Sequence, residues 1–353
     1  MTHVIEEYHG HSHHEILFRG STGDHTISIT PTSILCTCPS FLYRRDCKHI
    51  KEVMDKMLWS IKDKKPSRKT WKSSVDSLNE MMNGYAYTSD EIVALYGMPN
   101  TGKTLLALQE AFWLASEGEV VLFIDTEGGI RSFAQQWAPV FIKRFGDIKG
   151  NIFFERRTTI ESLLEFFGDK VRVVFKSAKG GDKGKVEARF IETIESGLFK
   201  AIEDNSISFL IVDSISAPIR AAIPASQENY PTRADLTARL FSWLVRAQEE
   251  YDIGVLVSNH ATANPANPYA GSYAFIRGGI VVEHYSKRII YLDRREARAF
   301  KSIRRFWLVR MENKPDWSDV AFAEITDEGY KSLKFDERYL TDEEKRRVKG
   351  RSG

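Results

Sequence analysis

The chain has 353 residues, with 50 Lys plus Arg against 48 Asp plus Glu, a formal net charge of +2, and 42% hydrophobic residues. That composition is globular rather than disordered, and the length suits one large domain with a small one, or two medium domains. No apolar run approaches the ~18–20 residues that span a bilayer, and residues 1–8 lack an apolar signal core, which argues against membrane and secreted classes.

The N-terminal region opens with His3, His9, His11, His13 and His14, which read as a solvated tail that picks up metal weakly or, alternatively, as a second metal site. Residues 14–18 and 26–29 alternate as short strands. All three cysteines follow within twelve residues, as Cys36-x-Cys38, eight residues, then Cys47-x-His49. A clustered odd set without a signal argues against disulfides. Three thiolates and an imidazole make a closed tetrahedral shell, the donor set of structural Zn²⁺. After His49, Ile50, Val53, Met54, Met57, Leu58 and Ile61 recur at helical spacing. The whole resembles the SWIM zinc finger, a ββα unit placed at residues 1–65. Lys62, Lys64, Lys65, Arg68, Lys69 and Lys72 then crowd a Ser- and Pro-containing stretch. It reads as a basic linker, residues 66–75, that either solubilises the chain or tracks phosphates.

Residues 92–96 are an apolar strand, followed by Gly97-Met98-Pro99-Asn100-Thr101-Gly102-Lys103-Thr104 and a helix. This is the phosphate-binding pattern G-x-x-x-x-G-K-[ST]. Its glycines let backbone amides turn toward phosphate, Lys103 reaches the β- and γ-phosphates of ATP, and Thr104 takes Mg²⁺. Strands are then expected at 120–125, 151–155, 209–213 and 253–258, and helices at 130–145, 160–167, 188–204 and 233–250. Continuous apolar strands between helices give an α/β fold with a mostly parallel central sheet, whose ligands bind at the strands' carboxyl ends. Asp213 ends one strand and is assigned to the Mg²⁺ shell; Glu127 follows another and is assigned to the attacking water; Asp125 shapes the turn.

The order of the Lys103 loop, the Asp-Thr-Glu-Gly run at Glu127, the Leu-Ile-Val-Asp-Ser run at Asp213 and Val257-Ser258-Asn259 resembles the RecA/RadA recombinase ATPase core, with the archaeal RadA and RadB branch the nearest match. The resemblance covers residues 70 to 335 and places the RecA-like domain at 76–335, with a charged tail at 336–353. It implies two DNA-binding loops. One falls near residues 221–236, with Arg220, Arg233 and Arg239; the other near 263–279, with Tyr269, Tyr273, Phe275 and Arg277, where aromatics stack bases. It implies a post-loop strand after Gly278-Gly279, and an ATP-capping segment at Pro315-Asp316. His260 stands where the recombinases carry a glutamine that couples γ-phosphate to DNA. No helix-hairpin-helix domain or Phe-x-x-Ala segment is seen. Residues 171–185 read as an inserted hairpin or basic loop, a DNA or partner contact or a solvated insertion. Arg294, Arg295, Arg298, Lys301, Arg304, Arg305 and Arg310 form a basic C-terminal stretch suited to phosphate. Residues 345–351 are expected to be disordered.

The expected function is therefore a DNA-binding, Mg²⁺-dependent ATPase of the RecA/RadA type in homologous recombination or repair, as a recombinase paralogue. The alternative is an ATP-binding mediator or scaffold with negligible turnover. Expected partners are single-stranded DNA, a recombinase or other repair proteins and further copies of the chain, with no membrane, in the cytoplasm at the nucleoid.

Overall fold

The computed structural model describes residues 3–9, 14–20, 23–30, 33–38, 48–50, 68–175, 185–262, 275–276, 278–294, 300–312, 314, 316–317 and 319–349. They form two compact units, Met1–Ser67 and Arg68–Gly353. No helix among the described residues is long and apolar enough to cross a membrane.

In the first unit, β1 (His3–His9), β2 (His14–Gly20), β3 (Gly23–Thr30) and β4 (Ser33–Cys36) make an antiparallel sheet in sequence order. His3 and His9 thus lie on one strand and His14 opens the next, rather than forming a tail. Pairing with β2, His9 opposite His14 among others, overrides a local sequence too polar to announce a strand. The helix expected after His49 lies, beyond residue 50, outside the described residues.

The second unit starts inside the stretch read as linker. β5 (Thr70–Trp71) pairs with β6 (Tyr87–Thr88), and Trp71, Ser73 and Val75 are buried. Arg68 pairs with Asp90 and Glu91, which fastens this cation to the fold. After α1 (Asp76–Met81) come β7 (Ile92–Gly97), α2 (Lys103–Ser116), β8 (Val120–Asp125), α3 (Ile130–Phe145), β9 (Asn151–Arg156) and α4 (Ile160–Phe167). A hairpin of β10 (Asp169–Phe175) and β11 (Val186–Thr193) follows, then α5 (Gly197–Asn205), β12 (Phe209–Asp213), α6 (Ala217–Ala222), α7 (Tyr230–Tyr251) and β13 (Gly254–Thr262). The chain ends through β14 (Phe275–Ile276), α8 (Gly279–Tyr285), β15 (Ser286–Arg294), β16 (Ile303–Arg310), β17 (Val320–Thr326), β18 (Gly329–Leu333) and α9 (Asp342–Lys349).

The main sheet runs β18-β17-β16-β15-β7-β13-β12-β8-β9, with β14 on β13. From β15 to β9 every neighbour is parallel; β16 to β18 extend it antiparallel. The central strands β7, β8 and β12 are buried on both faces, which is why they read as apolar runs, whereas the edge strand β9 is only half-buried. Along β7, Ile92, Ala94 and Tyr96 join the core shared with α4, α5 and α7, while Val93 and Leu95 join the core under α2 and α3. β8 and β12 alternate in the same way. Each fully buried Leu, Ile or Phe there contributes ~1.5–3 kcal/mol.

Four expectations are corrected. Residues 188–204 are not one helix: β11 occupies the first part, because Val186, Ala188 and Phe190 alternate with charged residues and β10 supplies a partner. The helix begins only after Ser196, whose side chain caps it by accepting from the Phe199 amide. Gly279–Tyr285 is a helix preceding the expected strand. The first DNA loop is short, since α7 begins at Tyr230. The C-terminal tail is structured through residue 349: Glu344 pairs with the buried Arg305, and Tyr339 packs edge-on against Phe322.

Glu110, on α2, is fully buried. Its carboxylate accepts from Ser73 Oγ (2.8 Å), Ser74 Oγ (2.6 Å) and the Ser74 amide (3.2 Å), tying the start of this unit to α2. Burial pushes its carboxyl up to about 7 despite those donors. The folded state therefore keeps this proton up to about pH 7, whereas the unfolded chain loses it near 4.5, so stability falls as pH rises through that window. Glu110→Gln is expected to melt several degrees above wild type at pH 8 and close to it at pH 5, by calorimetry at both values.

Candidate nucleotide site

Strand register assembles the site. β13 sets His260 beside Gly97 of β7, and β12 sets Asp213 beside Asp125 of β8. The carboxyl ends of four parallel strands thus deliver Lys103, Glu127, Asp213 and His260 to one rim.

The loop from Gly97 to Thr104 is held tightly. A Cβ at Gly97 would collide with the Leu292 carbonyl oxygen, and one at Gly102, where φ is +103°, with the Tyr330 hydroxyl. Thr101 Oγ1 donates to the Met98 carbonyl at 2.9 Å. From below, Arg304 Nε (2.7 Å) and the Tyr330 hydroxyl (3.2 Å) donate to the Thr101 carbonyl. Lys103 is buried and its Nζ donates to the carbonyls of Gly97 (3.0 Å) and Met98 (2.9 Å). Burial lowers its pKa, opposed by the negative charges of Asp213 and Glu127. The Lys103 and Thr104 amides open α2 with no acceptor among the described residues, as the first turn of a helix must. Glycine backbone, free amides and a lysine curled into the loop are a fit for a polyphosphate.

Asp213 is buried, accepts a short hydrogen bond from Ser258 Oγ and is hydrogen-bonded to Thr104; burial raises its pKa. Asp125 accepts from the amides of Glu127 (3.2 Å), Gly128 (2.8 Å) and Ile130 (3.2 Å), so it shapes the turn and caps α3. That turn presents Glu127, whose Oε1 takes hydrogen bonds from His260 Nε2 and Ser214 Oγ, both at 2.8 Å. The His260 contact, then Ser214 and the nearby charges, outweigh desolvation and bring the carboxyl down to about 2. Ser214 and Ser258 were not singled out from the sequence, although both lie inside the motifs that were.

The DNA-loop candidates separate. Arg220 lies in the last turn of α6, is exposed, and its charge acts on Lys103 and Glu127. Arg233 is half-buried on α7, its pKa lowered by burial and by Arg220. Neither has an ion pair among the described residues. Arg239 is instead fastened to Asp235 (3.2 Å, one helical turn away) and Asp169 (3.4 Å), and covers Phe190. These contacts hold its guanidinium to the fold. Tyr269, Tyr273 and Arg277 lie outside the described residues; Phe275 lies on β14, where it pairs in register with Thr262. Three cations of the C-terminal basic stretch are engaged within the fold. Arg304 supports the loop, Arg305 is buried against Asp293 (2.6 Å) and Glu344 (2.9 Å), and Arg310 donates to the Glu283 carbonyl. Arg295, Arg298 and Pro315 fall outside the described residues.

In the first unit Cys36, Cys38 and His49 are buried with their donor atoms within 4.8 Å of one another. Cys36 Sγ lies 3.8 Å from His49 Nδ1. Cys47 lies outside the described residues. Two thiols and an imidazole converging in this way fit a Zn²⁺ ion.

No family model matches the chain. It is similar to "DNA repair and recombination protein RadB" of Methanosphaera stadtmanae, 26% identical over 222 residues, 62% of this chain and 78% of the relative. The protein of the same name from Methanoculleus marisnigri is 24% identical over 242 residues, 69% and 89%. "DNA repair and recombination protein RadA" of Metallosphaera sedula is 23% identical over 250 residues, 68% of each. These relatives support the RecA/RadA superfamily, and the α/β unit with its parallel sheet fits a core of that type.

Proposed function

We propose that this chain is a DNA-binding, Mg²⁺-dependent ATPase of the RecA/RadA type that acts in DNA repair and recombination, as a recombinase paralogue. The observation that carries this reading is the juxtaposition of Lys103, Asp213, Glu127 and His260 at one sheet rim. The similarity to proteins named for DNA repair and recombination supports it.

Lys103 and the first amides of α2 hold the β- and γ-phosphates and neutralise charge that grows on them during transfer. Thr104 and Asp213 are the residues that would hold Mg²⁺, which when bound screens the phosphate charge. Glu127 orients the attacking water and takes its proton. In the structure Glu127 is engaged by His260 and Ser214, which keeps it ionised but weakly basic. That engagement favours slow basal turnover, the observation on the side of an ATP-holding mediator. β13 carries His260 and leads into residues 263–274, where Tyr269 and Tyr273 lie. Single-stranded DNA on that segment draws His260 from Glu127 and frees the base. The first unit, folded around Zn²⁺ on Cys36, Cys38, Cys47 and His49, contributes a DNA or protein contact. The partners are single-stranded DNA, a recombinase and further copies of the chain.

Phosphate release measured with and without single-stranded DNA tests the reading: stimulation severalfold is expected, and turnover indifferent to DNA favours the mediator. Two variants probe the base. Glu127→Gln is expected to lower turnover ~10²-fold, in the range of general-base loss, while nucleotide affinity stays near wild type. His260→Ala is expected to raise basal turnover, because Glu127 regains basicity, and to remove the response to DNA. A basal rate that falls along with the DNA response sinks this role for His260.

A further inference from the structure

The β10–β11 hairpin is not used by the nucleotide site. Its inner face, with Val171 and Val186, is buried, and the Val186 amide donates to Asn229 Oδ1 at the start of α7. Its outer face is unusual. The register sets Arg172 directly opposite Arg189, so two like charges face each other across the strands, and both are exposed. Like charges in that position destabilise a ribbon. Arg172 has no ion pair among the described residues, and Arg189 only a distant one, 3.9 Å to Glu187. The sequence that joins the strands adds Lys176, Lys179 and Lys183 against Asp182. A bulge between Lys170 and Val171 adds local twist.

We propose that this outer face, centred on Arg172 and Arg189, holds the phosphate backbone of double-stranded DNA. A cost in ribbon stability that the described carboxylates offset only through the long Arg189–Glu187 contact is matched by an external polyanion. A two-stranded ribbon is one of the few elements that fits the major groove, and at ~3.3 Å per residue its strands reach about 25 Å. Duplex is favoured over single strand because the face offers no aromatic ring: Arg172, Val174, Glu187 and Arg189 contain no platform for an unpaired base. The chain then has a second DNA surface, distinct from the segment that carries Tyr269 and Tyr273. The proposal rests on the DNA-binding reading above but not on nucleotide turnover.

The test is affinity of the full chain for a short duplex and a single strand, across a salt series without nucleotide. The Arg172→Gln, Arg189→Gln double variant should bind duplex about tenfold more weakly at low salt, with the log–log salt slope reduced by about two for two lost phosphate contacts. Single-strand affinity should stay within about twofold. Arg172→Lys, Arg189→Lys should retain most duplex affinity, and the glutamine variant should melt no lower than wild type since it relieves a repulsion. Unchanged duplex affinity overturns the proposal while leaving the ATPase reading intact. Equal loss on both DNA forms, or preferential binding of an acidic peptide, also overturns it. Ribbon-dependent duplex binding in a protein whose turnover ignores DNA sustains the proposal and removes the ATPase reading instead.

Discussion

Lys103→Ala is expected to lower Mg²⁺-dependent ATP turnover at least ~10²-fold, the scale of removing one well-placed electrostatic stabiliser. Lys103 is the cation of the loop, and its ammonium rests on the Gly97 and Met98 carbonyls. Truncation leaves both carbonyls without that donor and the γ-phosphate without its positive partner. Burial lowers the pKa of this ammonium, and a triphosphate against it supplies counter-charge in place of the lost water. Lys103→Arg is expected to fail as well, because a planar guanidinium does not fit where a compact ammonium meets two carbonyls. Phosphate release and nucleotide affinity, measured together, check both. Wild-type turnover in Lys103→Ala removes this loop from the chemistry.

Removing metal from the first unit is expected to unfold it and leave the second intact. Cys36, Cys38 and His49 are buried there beside His25 and Ile27. A unit as short as Met1–Ser67 rarely builds a core that by itself offsets the chain entropy of its residues. Structural Zn²⁺ supplies ~10 kcal/mol or more in small modules. Chelation, or Cys36→Ser with Cys38→Ser, should release about one Zn²⁺ per chain and remove the signal of the small sheet from circular dichroism. The melting transition of residues 68–353 should persist, with its own large cores. Because thiolates must be deprotonated to bind, acidification is expected to mimic chelation. A unit that keeps its structure without metal shows that the cysteines and His49 act as a packed core.

Much of the nucleotide site was legible because its residues are constrained locally. Gly97 and Gly102 stand where a side chain would strike a neighbour, and Lys103 and Thr104 follow at the spacing a helix start requires. The strands of the parallel sheet were legible for a similar reason: burial on both faces leaves apolar runs that no exposed element shows. What stayed hidden were pairings across long sequence distance. Arginines look alike in a sequence whether they meet phosphate or a buried carboxylate. Only the fold puts Asp293 and Glu344 on Arg305, Asp169 on Arg239, and the Thr101 carbonyl on Arg304. The strand at residues 186–193 depended on a partner 11 to 24 residues upstream, Phe175 opposite Val186 at its near end and Asp169 opposite Thr193 at its far end. The hydrogen bond of His260 with Glu127 joins residues 133 positions apart. The chain's composition and motifs by themselves determined an α/β unit with a phosphate loop and a cluster of thiols. Tertiary structure alone decided which charges are spent on the fold and which remain facing outward, because a charge's role is set by the groups that packing brings within hydrogen-bond reach.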